Sequence, residues 1–205
     1  MNSTTDDNIL QAAERLFLER GFAMTSTTDI AREVGCNQAL VYYYYRSKED
    51  LFSQIFAKKL RLILGNCRQI LESDADFEEK LTQFVNSYFE FLCNSPRLPF
   101  LIVNELVTNE RRRCQVREKV ISDPEVQRFY YAMQDELNEE IEKGRIRPID
   151  LLDLFLNIMS LTVMNFLVLP LYADFLLKTK QEQRQFIAMR QKEVIETILR
   201  SLQNK

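Results

Sequence analysis

Thr25 to Asp50 reads TSTTDIAREVGCNQALVYYYYRSKED, and its punctuation decides the fold. Ser26 and Asp29 stand at capping-box spacing, so a helix is expected to start behind Ser26. Ile30, Ala31 and Val34 give that short helix one apolar face. Gly35 follows where a helix end favours a left-handed residue. Asn37 is a good N-cap for a second helix, roughly Gln38 to Tyr45. In it Val41 and Tyr45 can face inward, which leaves Gln38, Ala39, Leu40, Tyr42 and Tyr43 facing out. Two short helices joined by a glycine-containing turn are a helix-turn-helix signal, whose second helix enters a major groove.

This stretch and its flanks resemble the TetR/AcrR family of bacterial transcriptional regulators. The residues that carry the resemblance are Gly21-Phe22, Thr25-Ser26, Asp29-Ile30-Ala31, Val34-Gly35 and the run from Val41 to Leu51. They cover the first quarter of the chain densely. Beyond it only the length and the all-helical pattern agree. Tyr45 stands where the family usually has Phe, so its hydroxyl needs water or a partner. Ala39 stands where Gly is common, which alters how closely the helix approaches a base pair.

The resemblance implies that Thr27, Thr28, Tyr42, Tyr44 and Lys48 meet the phosphates of a double-stranded DNA operator. Gln38, Ala39, Leu40 and Tyr43 are the base-edge candidates. Glutamine can read adenine with two hydrogen bonds, and Ala or Leu can touch a thymine methyl. The first 64 residues carry eight Lys/Arg and eight Asp/Glu, so the head has no net charge to attract DNA. Hydroxyls and helix N-termini, which hold phosphate without net charge, are the expected compensation.

Composition limits the remainder. Four Gly, five Pro and no alternating strand pattern in 205 residues point to an all-α chain. A formal net charge of −3 excludes a basic nucleic-acid coat. Cys36, Cys67, Cys93 and Cys114 lack paired-ligand spacing and there is no histidine, so neither a metal site nor any other cofactor is expected. Without histidine or a Gly-rich phosphate loop, an enzyme is not expected either. The polar, acidic start MNSTTDDNIL is no secretory signal, and a cytoplasmic protein with reduced thiols is the expectation.

Along the chain, Ile9, Ala12, Ala13, Leu16 and Phe17 form the stripe of a first helix closed by Gly21, completing a three-helix head at residues 1–46. A larger helical domain for ligand binding and dimerisation is expected over 47–205, giving about nine helices in all. Ser47/Asp50, Asp76/Glu79 and Thr179/Glu182 mark helix starts, and Asp123-Pro124 another. One helix is expected from Leu98 to about Arg112, and a very apolar one from Ile149 to about Val168, opened by Pro148 and ended or kinked by Pro170. Leu154 to Ala173 has no charged residue, yet its nearest flanks are acidic, so a buried or interface helix is expected rather than a membrane span.

In the resembled family the last two long helices pair with a second copy, which implies a homodimer. The family also places a small-molecule inducer among its middle helices. Phe84, Tyr88, Phe100, Asn104, Tyr130, Met133, Asn157, Met159 and Phe166 are the candidate lining residues. Glu105, next to an apolar run, needs a positive partner if buried, and Arg111 to Arg113 are at hand.

Overall fold

The structure is a computed structural model that describes residues 5–204, except the side chain of Lys119. The described residues form ten α-helices, one π-helical turn and no strand: α1 (Thr5–Arg20), α2 (Thr27–Val34), α3 (Gln38–Tyr44), α4 (Lys48–Leu71), α5 (Phe77–Asn94), α6 (Leu98–Thr108), α7 (Glu110–Val116), α8 (Pro124–Glu142), α9 (Leu151–Ala173) and α10 (Lys180–Leu202). The π turn, Arg117–Ile121, follows α7 directly.

The chain packs as two compact units that interleave in sequence. One ends at Leu62 and also takes in Phe100–Pro124; the other holds Ile63–Pro99 and the chain from Glu125 onward. The first compact unit thus runs past Arg46. Leu101, Val116 and Val120 are buried in the same apolar cluster as Ile9, Ala13, Leu16 and Phe17 of α1, Ile30 of α2, Val41 of α3 and Phe52 of α4. Each fully buried side chain of this size adds about 1.5–3 kcal/mol of hydrophobic stabilisation, so three such residues bind their segment to the first unit.

The expected helix signals have the geometry assigned to them. Asp29 N donates to Ser26 Oγ at 3.1 Å and Ser26 N to Asp29 Oδ2 at 3.0 Å, a reciprocal capping box. Gly35 adopts φ 75°, and its N–H serves the Ala31 and Arg32 carbonyls at the end of α2. Asn37 caps α3 through Leu40 N at 2.8 Å. Thr179 and Glu182 form the second full box, at α10.

Three expectations change. The helix from Leu98 breaks at Asn109, whose side chain accepts from Arg112 N and starts α7. Arg113 meanwhile donates to the Leu106 and Val107 carbonyls at the end of α6. The apolar helix begins at Leu151, not Ile149. Proline favours an extended residue before it, and Arg147 N bonds the Leu202 carbonyl at 2.8 Å, so Asp150 becomes the cap. Pro170 does not end α9, which continues to Ala173; so near a helix end the missing N–H costs only one of the final bonds.

In the second unit α5, α8, α9 and α10 share a core that includes Phe89, Leu137, Ile158, Val194 and Ile198. An 18-residue stretch of α9 has a mean hydropathy of 1.9, and the helix is long enough to cross a membrane by length and composition, yet only 28% of that stretch is buried within the chain. Its inward stripe is Leu151, Leu154, Ile158 and Thr162. The opposite stripe exposes Leu152, Leu156, Met164 and Leu171.

Candidate nucleic-acid interface

α3 divides its seven residues sharply. Val41 is 0% exposed and Tyr43 is 79% exposed, although they are two positions apart. Gln38, Ala39, Tyr42 and Tyr44 are exposed with Tyr43, and Leu40 is half-buried. Tyr43 and Tyr44 stack edge to face with centroids 5.1 Å apart, which stiffens two otherwise free rings. Tyr45 ends the helix and turns inward, as expected. Its hydroxyl finds a partner in the Asp6 carbonyl at 3.1 Å. Burial, then the charges of Asp6, Asp7 and Asp50, push its phenol up to about 12, so it remains a neutral donor.

The outward face is held by a short relay. Gln38 Nε2 donates to Thr27 Oγ1 at 2.8 Å, and Thr27 Oγ1 donates to Tyr42 Oη at 3.2 Å. Thr27 is buried, and its hydroxyl orients Gln38 and Tyr42. The relay uses one of the two Nε2 protons of Gln38 and leaves Oε1 outside it, the donor and acceptor that reading an adenine edge requires. Thr28 stands exposed in the first turn of α2. Asp29, in the same turn, is held below its ordinary pKa by the side-chain and backbone hydrogen bonds of Ser26, with Arg32 adding to them.

Lys48 is engaged with the backbone of its own unit. Its Nζ donates to the carbonyls of Phe22 at 2.8 Å and Thr25 at 2.9 Å, and lies 4.3 Å from the centroid of the Phe22 ring. Two of three N–H donors thus brace the α1–α2 turn. Burial is the main cause that lowers its pKa, with Glu49 opposing and Arg112 reinforcing. Arg112 of α7 also lies over Phe22, with Cζ 3.8 Å from the ring centroid. Arg112 in turn pairs with Glu105, whose side chain is 6% exposed. This answers the need of Glu105 for a positive partner from within the first unit. Sequence reasoning did not assign Arg46, an exposed cation directly after α3.

The second unit contains a cavity of about 50 Å³, walled by α5, α8, α9 and the end of α4 and partly open to solvent. Its lining is Cys67, Ile70, Leu71, Phe77, Lys80, Leu81, Phe84, Phe129, Met133, Glu136, Leu137, Leu151, Leu154, Phe155 and Ile158. Of the nine expected lining residues, only Phe84 and Met133 are among them. Tyr88 is buried beside Phe84, its ring 6.5 Å away, and Phe166 packs on Phe89. Phe100 and Asn104 belong to the first unit and face outward. Tyr130 and Asn157 are exposed because Phe129, Met133 and Leu137 take the inner face of α8, and Leu154 and Ile158 that of α9. Met159 is half-buried outside the cavity. A helical period identifies an apolar face, but not which part of that face leaves space.

Comparison with known proteins agrees with this layout. Residues 9–55 match the family described as "Bacterial regulatory proteins, tetR family". The chain is 24% identical over 140 residues to the fatty acid metabolism regulator protein of Bacillus subtilis, spanning 68% of this chain and 69% of that one. An HTH-type transcriptional repressor of Mycolicibacterium smegmatis is 32% identical over 84 residues, 41% of each chain. Among solved structures, a Bacillus subtilis transcriptional regulator in complex with stearoyl-CoA superposes with a TM-score of 0.74 at 20% identity, covering 95% of this chain and 98% of that one. At that identity the likeness establishes the fold.

Bracing by Lys48 has a measurable signature. Lys48→Met keeps the apolar stem but removes two charge-assisted hydrogen bonds, worth about 1.5–3 kcal/mol each when made by a charged group. The melting temperature should fall, and duplex DNA should bind more weakly whatever its sequence. The slope of log affinity against log salt should stay unchanged, because no phosphate contact is lost. A slope smaller by about one would put the ammonium on a phosphate instead.

Proposed function

Because the chain belongs to the TetR family of bacterial transcriptional regulators, we propose that it is a cytoplasmic repressor that binds a palindromic operator as a homodimer and is released by a small, largely apolar ligand. The observation that carries the DNA-binding part is the division of α3 between one buried valine and a face of exposed glutamine, alanine and tyrosines. A helix stabilised only by its own core would not leave three tyrosines in water. Gln38, Ala39, Leu40 and Tyr43 read base edges. Thr28, Tyr42, Tyr44 and Arg46 contact phosphate, and Thr27 holds Gln38 and Tyr42 in place.

The second copy is the cover we assign to the outer face of α9. Leu152, Leu156, Met164 and Leu171 are each more than half exposed and fall on one side of the helix. An isologous pairing buries the stripe against itself and places two α3 helices for half-sites about one helical turn apart. For the ligand, the cavity walls supply hydrocarbon and phenylalanine. The stearoyl-CoA in the Bacillus subtilis structure supports a hydrocarbon-rich ligand here. At about 50 Å³ the cavity is below the roughly 300–1,000 Å³ of ligand sites, so the walls move apart on binding. That movement gives the ligand a means to favour one conformation over another.

Operator selection followed by binding isotherms on single-base variants tests the reading face. Gln38→Ala should cost about 1–3 kcal/mol on the preferred operator and relax choice at one base pair per half-site. Equal weakening on every sequence would remove Gln38 from the reading role.

Sedimentation tests the dimer. Ile198 is 2% exposed within the chain, so a charge there would damage the fold and say nothing about pairing. Leu156 is 53% exposed, so Leu156→Glu should leave the fold intact while turning a wild-type dimer into a monomer. An unchanged dimer would move the interface away from this stripe.

A further inference from the structure

The cavity of the second unit carries one feature that a store of hydrocarbon does not need. Its two charged wall residues, Lys80 of α5 and Glu136 of α8, are joined at 2.7 Å between Lys80 Nζ and Glu136 Oε1. Their side chains are only 16% and 24% exposed. An ion pair set into an apolar wall loses hydration, and a well-packed apolar pair of similar volume is often as stable or more so. Packing alone therefore gives no reason for charge at this place.

The chemistry of the pair gives one. A lysine ammonium has three donors and no acceptor, and Glu136 takes one of them. A further donor is available to an oxygen in the cavity without dismantling the pair. Glu136 meanwhile keeps the ammonium aimed. The group that suits such a donor, at the polar end of a chain lying among Phe77, Phe84, Phe129 and Phe155, is a carbonyl or carboxylate oxygen.

We propose that Lys80 is the specificity-determining residue of this cavity, and that it binds the carbonyl oxygen of an acyl chain, as a fatty acid or its thioester. This rests on the cavity being the ligand site, as proposed above. The hydrocarbon tail parts the apolar walls, and Lys80, held by Glu136, selects acyl over plain alkyl compounds. Lys80 is thus the polar contact that fixes how far the chain enters.

The test is calorimetric titration of the full chain with three probes of one length: dodecanoyl-CoA, S-dodecyl-CoA, which is the thioether lacking the carbonyl, and dodecanoate. Wild type should bind the thioester about tenfold tighter than the thioether, as loss of one charge-assisted hydrogen bond requires. Lys80→Met alone leaves part-buried Glu136 without its partner and threatens the fold, so the informative variant is Lys80→Met with Glu136→Leu. It should fold, bind the thioether within about twofold of wild type, and no longer distinguish the thioester. Whichever of dodecanoate and dodecanoyl-CoA binds tighter identifies the free acid or the thioester as the source, and either result retains the carbonyl contact. Equal binding of thioester and thioether by wild type overturns the role of Lys80 alone, as does a preference that survives in the double variant. Failure of all three probes to bind overturns the cavity as ligand site, and this inference with it.

Discussion

Phe22 and the two cations over its ring are the contact on which the first unit depends. The ring sits in the apolar core, 5.1 Å from Phe17 and 5.7 Å from Phe52 between centroids. Lys48 and Arg112 both lie over it, one from the start of α4 and the other from α7. Cation–π contacts are worth about 0.5–1 kcal/mol when exposed and about 2 or more when desolvated. The larger figure applies here, since the Arg112 side chain is 13% exposed. Two like charges beside one ring would repel without compensation, which Glu105 supplies to Arg112 and the Phe22 and Thr25 carbonyls to Lys48. One turn of six residues is thereby fixed from both sequence-local and sequence-distant elements.

That turn determines where α2 begins, and α2 orients the outer face of α3 through Thr27. Thr25 is buried, its hydroxyl 2.9 Å from the Gly21 carbonyl and 3.2 Å from that of Leu16, so the end of α1 and the start of α2 move together. Next along, Thr27 links Gln38 and Tyr42. The outer face of α3 is therefore organised by hydroxyls rather than by charge. This is consistent with a head whose acidic and basic residues balance. A neutral head gains less from counterion release than a basic one and relies more on contacts that geometry must place.

The parts of this arrangement that were legible in the sequence are the local ones. Ser26/Asp29, Gly35 and Asn37 act through backbone groups within four residues, and their geometry follows from their identity. Asn109 acts just as locally, but it lies in a run with good helical periodicity, and the cap outweighs the period. Long-range facts were not legible. The Tyr45 hydroxyl meets a carbonyl 39 positions away, and Lys48 turns to backbone 23 and 26 positions away. Which arginine of α7 lies over Phe22 was not legible either, because three adjacent arginines offered no way to choose among them. The cavity was missed for a related reason. Its lining is decided by which side chains fail to fill a gap between four helices.

The central claim is that Arg112 over Phe22 holds the α1–α2 turn and, through it, the presentation of α3. Amide hydrogen exchange on the variant Arg112→Met/Glu105→Gln measures this most directly, because neither buried charge is left alone. The account expects faster exchange over Phe22 to Tyr44, with the amides of α5, α8 and α10 unchanged. Unaltered protection across Phe22 to Tyr44 would contradict it, and would reduce the contact to one of several that merely fill the core.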